Sequence, residues 1–293
     1  MNGFRKLLYK IPSNLVTIET LVKEANLSND ILANMKKGGL KHIPIFKEKI
    51  EIILQQTLSK IDFSKIKGIV IAQSVPFKID LKLERKIPIT TISGQPCAIT
   101  HLGIELANEW QKNIKQDILL VAIDKPLSID KRLYFNSAMG DIILVGVLSN
   151  KNVKHKILSS YVDSYIFADN GEYSDIQDIN RFRENNPLLI RENIINNLKK
   201  IDLELNDIDY IFPHTPYLQI WDIMAKVLNY PREQIFTKYI DKTGHLNSND
   251  SFFHYLKAIE NGIITKGNKV LLVNNGFGGS RGSTIIEYIG GQK

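Results

Sequence analysis

The sequence predicts an α/β protein built from two similar halves, and three observations point to this fold class. First, short apolar runs alternate with amphipathic, helix-prone stretches along most of the 293 residues. Second, these runs are rich in Ile and Val and almost continuously apolar, which is typical of strands covered by helices on both faces of a sheet. Third, two segments of the first half recur in the same order in the second half.

Six apolar runs are predicted to form strands. Each is bounded by polar or turn-forming residues, and helix-prone stretches lie between them. Because nearly every position of these runs is apolar, helices must cover both sides of the sheet, so the core is expected to be layered. The predicted strands are residues 67–75, 117–123, 141–148, 209–212, 269–274 and 283–289.

The internal repeat consists of two pairs of segments. Residues 51–76 resemble residues 192–216 at an offset of 140, and both segments pass from an amphipathic helix into a strand that ends in Val-Pro or Thr-Pro. Residues 106–124 resemble residues 257–275, and both contain a helix, a short polar turn and an apolar strand. Two matches in the same order indicate duplicated α/β units.

The repeat predicts a first half at 1–150 and a second half at 151–293, packed together with a shared active site at their junction. In this register Cys97 begins the helix before the strand at 117. The segment that contains His245 begins the corresponding helix of the second half, and His214 follows the strand at 209–212. Three side chains able to do chemistry therefore fall at strand ends or helix starts.

Composition excludes several classes of protein. The single cysteine cannot form an internal disulfide, and no apolar run reaches the roughly 18–20 residues that span a bilayer. A cytoplasmic protein without a membrane segment is therefore expected. The net charge is +7, but the lysines are dispersed and no nucleic-acid motif is present, so an acidic protein or an anionic cofactor is the expected partner rather than nucleic acid. No metal-ligand spacing, Walker motif or dinucleotide fingerprint appears, which predicts no metal and no bound cofactor.

Cys97 has two interpretations. A lone cysteine is often a small buried apolar residue. At a helix start, however, the positive end of the helix favours the thiolate and lowers the pKa of the thiol. His101 lies four residues later on the same helical face and is an alternative base for this thiol.

The chain resembles the thiolase-fold condensing enzymes, and among them most closely β-ketoacyl-[acyl-carrier-protein] synthase III. The segments that resemble this family are "CAITHLGIELA" from Cys97, "FPHTPYLQIWDIMAKVLNYPREQIF" (212–236) and the stretch from "GHLNSND" to "GFGGSRGSTII" (244–286). The resemblance implies a thiolase-like α/β fold in which two pseudo-symmetric halves pack in an α-β-α-β-α arrangement.

The resemblance also implies roles for individual residues. His214 matches the family's catalytic histidine, and His245 stands where the family has its third catalytic residue, an asparagine. A Cys-His-His set is similar to that of the related chain-elongating synthases. Gly279 matches the glycine whose N–H completes an oxyanion hole with that of the cysteine, and Phe277 matches a phenylalanine beside the thiol.

Two further features bear on the acyl donor. The family's tryptophan that stacks on coenzyme A is replaced by Ile31, which favours an acyl carrier protein, with its phosphopantetheine thioester, over coenzyme A. Lys226, Arg232 and Lys238 surround the helix after His214 and are candidate contacts for an acidic carrier protein.

The predicted activity is acyl transfer from a thioester onto Cys97, followed by decarboxylative Claisen condensation with a malonyl thioester in fatty acid or polyketide biosynthesis. The alternative is transfer to an alcohol, amine or thiol without condensation, in specialised metabolism. For that route His214 is a candidate general base, and Asp250, five residues after His245, is a candidate orienting acid. A catalytically silent subunit remains the third possibility. The resemblance implies a homodimer, or a heterodimer with a related subunit.

Overall fold

The computed structural model describes residues 2–134, 136–165 and 174–290. Helices and strands alternate through most of this part of the chain, in the order that the repeat predicts. The helices are α1 (Ile18–Glu24), α2 (Asn29–Lys37), α3 (Ile50–Leu58), α4 (Ile99–Ile114), α5 (Ile176–Lys199), α6 (Gln219–Leu228), α7 (Ile240–Thr243) and α8 (Asp250–Glu260). The strands are β1 (Gly3–Lys10), β2 (Leu15–Thr17), β3 (His42–Pro44), β4 (Ile66–Gln73), β5 (Ile89–Ile92), β6 (Asp117–Asp124), β7 (Leu133–Tyr134), β8 (Ser137–Ala138), β9 (Ile142–Ser149), β10 (His155–Ser164), β11 (Tyr210–Pro213), β12 (Lys269–Asn275) and β13 (Ser280–Tyr288).

Nine of these strands form one sheet in the order β11-β12-β13-β10-β1-β9-β6-β4-β5. Strands β4, β5 and β6 are parallel to one another, as are β11 and β12, whereas the strands at the centre pair antiparallel. The two halves of the sheet join where β1 meets β10, through only two residue pairs, Gly3 with Lys156 and Phe4 with His155. Each half therefore keeps its own strand set around this narrow seam.

The core contains three large apolar clusters, which lie between five alternating layers of helices and strands. One cluster places α4 and α8 between the two half-sheets, because it contains residues of these helices together with β4, β6 and β12. A second cluster packs α3 on the outer face of the first half, and a third packs α5 and α6 on the outer face of the second. The thiolase-like arrangement of alternating helix and sheet layers is thus confirmed.

Successive residues of the central strands face different layers, which explains their continuous apolar sequences. In β6, Leu120 faces the middle helix layer, whereas Leu119 and Val121 face α3. In β12, Leu272 faces the middle layer and Leu271 faces α5 and α6. Because both faces of each strand are covered, no polar position interrupts the runs.

All six predicted strands are present, but β1, β5 and β10 of the nine-stranded sheet were missed, as were the short strands β2, β3, β7 and β8. Their sequences mix charged or hydroxyl residues with apolar ones, as in "GFRKLLYK" and "HKILSSYVDS", because several of their side chains are only partly buried. Strand β5 lies at the sheet edge and is mostly exposed. A search for continuous apolar runs does not detect such strands. The assignment of residues 1–150 and 151–293 to separate halves stays a prediction.

Among the described residues, no helix is both long and apolar enough to cross a membrane.

Helix α4 begins directly after Cys97 and Ala98 and is capped at its C-terminus by Lys115, which adopts a left-handed conformation with φ of +54°. The helix therefore connects the thiol segment to the strand β6.

Candidate active site

Cys97 lies at the junction of the two halves, immediately before α4. Its side chain is buried, with 6% of its surface exposed, and its backbone has a φ of +57°, which is the left-handed region. A non-glycine residue seldom adopts this conformation, and its occurrence at a site of chemistry is a common form of stored backbone strain. The surrounding structure therefore fixes the thiol in a conformation that the local sequence alone does not favour.

The glycine-rich loop after β12 packs against the residue before the thiol. The hydroxyl of Ser280 donates to the carbonyl of Pro96 at 2.7 Å, and the N–H of Gly276 donates to the carbonyl of Ser280 at 2.6 Å. A Cβ at Gly276 would lie 1.9 Å from the carbonyl oxygen of Pro96. Glycine is therefore required at position 276 by a close approach of two backbones.

His245 is held by both halves of the molecule. The backbone N–H of His245 donates to the carbonyl of Ala138 at 2.9 Å, and the carbonyl of His245 accepts from the N–H of Gly140 at 2.9 Å. The imidazole Nε2 lies 3.6 Å from the sulphur of Cys97. A segment of the first half thus positions a histidine of the second half beside the thiol.

Asp250 completes a linear arrangement with the histidine and the thiol. Its Oδ2 lies 2.8 Å from Nδ1 of His245 and also accepts hydrogen bonds from the backbone N–H and the hydroxyl of Thr215, at 2.6 and 2.9 Å. Nε2 of His254 lies 3.3 Å from Oδ1 of the same carboxylate. All of these side chains are fully buried, so the carboxylate is shielded from water.

The charge state of Asp250 fixes the tautomer of His245. Burial alone would raise the pKa of Asp250, but hydrogen bonding to His245 and the nearby His254 outweigh it and hold that pKa below its usual range. An ionised carboxylate can only accept, so Nδ1 of His245 is the protonated nitrogen. Nε2 is then left with a lone pair that faces the thiol.

The thiol pKa differs from the expectation for a helix start. Burial raises the pKa of Cys97, and the carboxylates of Asp124 and Asp250 raise it further. The prediction of a thiol with a lowered pKa is therefore wrong for the resting protein, because desolvation and two negative charges outweigh the helix terminus. A base must take the proton from this thiol before it can react.

His214 directly follows β11 and lies beside His245. The two imidazole centroids are 5.7 Å apart, and the carbonyl of His214 accepts a hydrogen bond from Nε1 of Trp221 at 2.7 Å. Burial lowers the pKa of His214 to about 3, so its ring is neutral at physiological pH. Its Nδ1 is buried and has no hydrogen-bond partner in the described part of the chain.

The glycine and phenylalanine expected beside the thiol occupy the same loop. The N–H of Gly279 donates to the carbonyl of Gly276 at 3.1 Å, so it would have to leave this turn to reach an acyl oxygen. Phe277 is half-buried, and its ring packs edge-to-face on Phe182 of α5, with centroids 4.9 Å apart. The roles of both residues stay predictions.

His101 does not act on the thiol. Its Nε2 donates to Oδ1 of Asn274 at 3.0 Å, and its Nδ1 lies 2.8 Å from the hydroxyl of Thr284. Burial lowers the pKa of His101 to about 4. Both ring nitrogens are engaged with strands of the second half, so His101 is a neutral structural link and not the alternative base.

Sequence reasoning missed several residues that surround this arrangement. Thr215 and His254 contact Asp250, and Trp221 contacts the backbone of His214. His254 had a detectable signal, because it lies one helical turn after Asp250 on α8. Thr215 had none beyond its place next to His214.

The functional groups gathered at the site are the thiol of Cys97, the buried carboxylate of Asp250 and the imidazoles of His214, His245 and His254. These groups can pass a proton between them, and the thiol can form a covalent thioester with an acyl group. The described residues contain no cluster of three or more His, Cys, Asp or Glu side chains arranged to hold a metal ion.

Comparison with known sequences gives one family model and several curated relatives. Residues 198–288 match the model of the 3-oxoacyl-[acyl-carrier-protein] synthase III C-terminal region. A β-ketoacyl-[acyl-carrier-protein] synthase III of Fusobacterium nucleatum is 33% identical over 91 residues, which are 31% of this chain and 27% of that protein. One of Wolbachia pipientis is 22% identical over 283 residues, 92% of this chain and 86% of the relative.

Solved structures match the whole fold at low sequence identity. The 3-oxoacyl-[acyl-carrier-protein] synthase III of Aquifex aeolicus is 19% identical, with a TM-score of 0.77 over 98% of this chain and 100% of that one. An acyltransferase named ChlB3 is 15% identical, with a TM-score of 0.83 over 99% of this chain and 98% of that one. The fold is therefore shared between condensing enzymes and an acyltransferase.

Proposed function

We propose an acyl-transfer function for this chain, which is a distant relative of the β-ketoacyl-[acyl-carrier-protein] synthase III family of thiolase-like condensing enzymes. Cys97 accepts the acyl group of a thioester, and His245 then activates the hydroxyl, amine or thiol that removes it. The observation that supports this function is the order Cys97–His245–Asp250, with 3.6 Å from the sulphur to Nε2 and 2.8 Å from Nδ1 to the carboxylate. A nucleophile, a base and an orienting acid in this order are typical of acyl transfer.

The first half-reaction moves one proton and one acyl group. Nε2 of His245 takes the proton from the thiol of Cys97, and the thiolate attacks the carbonyl carbon of the donor thioester. The tetrahedral intermediate collapses with cleavage of the donor C–S bond, and His245 returns the proton to the departing thiol. The acyl-cysteine and a free donor thiol remain, and His245 is neutral again.

The second half-reaction repeats these steps with an acceptor. Nε2 of His245 removes the acceptor's proton, the acceptor attacks the acyl-cysteine, and the Cys97 thiolate leaves and takes the proton back. Asp250 stabilises the imidazolium that forms in both halves. A hydroxyl acceptor gains most from this arrangement, because an alcohol is a weak nucleophile unless a base removes its proton.

Decarboxylative condensation fits this geometry less well. An enolate formed from a malonyl thioester needs N–H donors aimed at its oxygen. With Nδ1–H directed at Asp250, Nε2 of His245 presents an acceptor to the thiol instead of a donor. His214 is neutral and buried and is proposed as a single N–H donor to the acyl or acceptor oxygen.

An acyl carrier protein is the proposed donor. Ile31 lies on α2 and corresponds, by the resemblance, to the family's adenine-stacking tryptophan. Lys226 on α6 and Lys238 are both exposed. Arg232 is engaged in an ion pair with Asp222 at 2.6 Å, so it contributes less free charge to such a surface. We propose that the chain assembles as a homodimer or with a related subunit.

Intact-mass spectrometry tests the proposed reaction. The protein is incubated with a panel of acyl-carrier and acyl-coenzyme A thioesters, and an acyl adduct is expected that is absent in Cys97→Ala. With His245→Gln the rate of adduct formation is expected to fall by about 10²–10⁴-fold, because the thiol loses its base. His155→Gln is the matched control, since His155 is also a buried histidine but contacts Tyr255, not the thiol.

A second incubation separates the reactions. The acyl-enzyme is mixed with alcohols, amines and thiols, or with a malonyl thioester. Loss of the adduct with formation of an ester, amide or new thioester supports transfer. Release of carbon dioxide with formation of a β-ketoacyl product would establish condensation instead. If no donor acylates the folded protein, the silent-subunit alternative stands.

A further inference from the structure

The buried carboxylate of Asp124 is not part of the Cys97–His245–Asp250 array, but it contacts the segment between His245 and Asp250. Asp124 lies at the end of β6, in the first half, with 1% of its surface exposed. Between His245 and Asp250 the chain forms a single 3-10 turn, Asn247–Asn249. Three donors of this turn converge on Oδ2 of Asp124: the hydroxyl of Ser248 at 2.8 Å, and the backbone N–H and side-chain amide of Asn249 at 3.0 and 2.7 Å.

The same turn is connected to the helix of the nucleophile. The hydroxyl of Thr100, three residues after Cys97, lies 2.8 Å from that of Ser248 and donates to Oδ1 of Asn249 at 3.1 Å. All of these side chains are buried. The turn between base and acid is thus hydrogen-bonded both to the end of β6 and to the start of α4.

The second half also contributes a hydrogen bond to the 247–249 turn. The side-chain amide of Asn274, near the end of β12, donates to the carbonyl of Asn247 at 3.0 Å, and its Oδ1 accepts from Ser251 and His101. The end of one strand from each half therefore fixes the turn. Asp124 is the charged member, and three donors on one carboxylate oxygen are stronger than the same bonds to a neutral acceptor.

We propose that Asp124 is a positioning residue for acyl transfer, whose carboxylate holds the 247–249 turn so that His245 stays aligned with both Cys97 and Asp250. This inference rests on the proposed function. The spacing of base and acid is five residues, so a shift of the turn moves both ends of the hydrogen-bonded array. Burial raises the pKa of Asp124 to about 6, and the hydrogen bonds from the turn oppose that rise.

Two variants test the role. Asp124→Ala removes the acceptor of all three hydrogen bonds, and a misplacement of about 1 Å at a reacting centre lowers the rate on the order of 100-fold. We expect this loss in kcat, with KM for the donor thioester changed less than about twofold, because the donor does not bind Asp124. Asp124→Asn keeps a carbonyl acceptor in the same place and is expected to restore most of the lost rate. Asp117→Asn, at the other end of β6 and paired with Arg5, is the control that should leave kcat unchanged.

A spectroscopic readout separates positioning from stability. The Nδ1 proton of His245, donated to a carboxylate, should give a strongly downfield proton resonance that disappears in His245→Gln. In folded Asp124→Ala this resonance is expected to shift or broaden, and in Asp124→Asn to remain. If Asp124→Ala lowers the melting temperature but leaves both kcat and the resonance as in the parent protein, the inference is wrong.

The failure of the proposed function has a different signature. A parent protein that is not acylated by any thioester removes the acyl-transfer proposal, yet the resonance experiment still reports whether Asp124 aligns His245 with Asp250. A parent protein that is acylated, together with an equally active Asp124→Ala, overturns the positioning role alone. If Asp124→Ala does not fold, Ser248→Ala decides, because it removes one of the three donors to Asp124: a shifted resonance with a lower kcat supports the role, and an unchanged resonance with kcat within about twofold of the parent contradicts it.

Discussion

The thiol of Cys97 is held in its protonated form, because burial and the carboxylates of Asp124 and Asp250 raise its pKa. Reactivity at this residue is therefore a property of the pair with His245, whose Nε2 lies 3.6 Å away. A sequence-based argument about helix starts considers only one of these influences. The low dielectric of the site and the two charges dominate the thiol, and neither is visible from the residues around position 97.

Asp250 is the residue whose replacement tests the role of its negative charge. In Asp250→Asn the amide oxygen is expected to keep the bonds from Thr215 and from Nδ1 of His245, so the variant removes the charge that stabilises the imidazolium while leaving the tautomer unchanged. We expect kcat for acyl transfer to fall by about 10²–10⁴-fold. Measurement of kcat by release of the donor thiol checks this value.

The control for that prediction lies on the same helix. Lys257 pairs with the exposed Glu260 at the far end of α8, and Glu260→Gln removes a carboxylate without contact to the site. Its kcat should match that of the parent protein. An Asp250→Asn variant with unchanged kcat would show that the charge of this carboxylate does not contribute to catalysis.

At the scale of elements, the loop after β12 and the start of α4 are fitted together. The carbonyl of Pro96 accepts from Ser280, and no side chain fits at Gly276. This contact fixes the peptide before the thiol, so the left-handed conformation of Cys97 is maintained by another element and not by its own helix. Gly276 of "GFGGSRG" is thus required by packing at the site.

Gly276→Ala tests this contact. The new methyl group would lie 1.9 Å from the oxygen of Pro96, so one of the two segments must move. We expect the rate of Cys97 acylation to fall on the order of 100-fold, because a shift of about 1 Å misplaces the thiol. Single-turnover acylation followed by intact mass measures this rate.

Gly267→Ala is the comparison. This glycine has a φ of +97° and no atom within 4 Å of its Cβ position, so the substitution strains the backbone without a clash. It should cost on the order of 1 kcal/mol of stability and leave acylation unchanged. Equal acylation rates in the two variants would show that the Pro96 contact does not position the thiol.

At the scale of the whole molecule, three histidines are buried as neutral rings. Burial lowers the pKa of His101 and His155 to about 4 and that of His214 to about 3. In the unfolded chain these groups titrate near pH 6.5. Their contribution to stability is therefore complete above pH 6.5 and is lost as the pH falls towards 4, because the unfolded state binds protons that the native state does not.

Asp124 acts in the opposite direction. Burial raises its pKa to about 6, so between pH 4 and 6 the native state keeps a proton that the unfolded chain releases. Between these pH values the unfolded chain binds a proton on each of the three histidines that the native state does not bind, and the native state binds one proton on Asp124 that the unfolded chain does not bind. The free energy of unfolding is therefore expected to fall by about 3 kcal/mol per pH unit between pH 6 and 4.

Urea denaturation at pH 7.5, 6.5, 6 and 5 measures this slope. The midpoint should change little between pH 7.5 and 6.5 and fall steeply below pH 6. His155→Gln removes one titrating ring outside the active site and should reduce the slope by about 1.4 kcal/mol per pH unit. A midpoint that is the same at pH 7.5 and 5 would contradict the neutral burial of these histidines.

Much of the architecture was predictable from local pattern. The continuous Ile- and Val-rich runs predicted β4, β6, β9, β11, β12 and β13, since strands between two helix layers have no polar face. The repeat predicted that α4 and α8 are corresponding helices of the two halves. The strands β1 and β10, which join the two halves, have mixed sequences, and only the pairing of the finished sheet identifies them.

The sequence by itself determined the class of fold and the place of Cys97, His214 and His245 at strand ends and helix starts, because periodicity and repetition are local properties of the chain. The tertiary structure alone decided what these residues do to one another. It placed His245 between a thiol from one half and Asp250 from its own, and it engaged His101 elsewhere. Distances, burial and hydrogen-bond partners arise only when the two halves pack together, and the proposed acyl transfer rests on them.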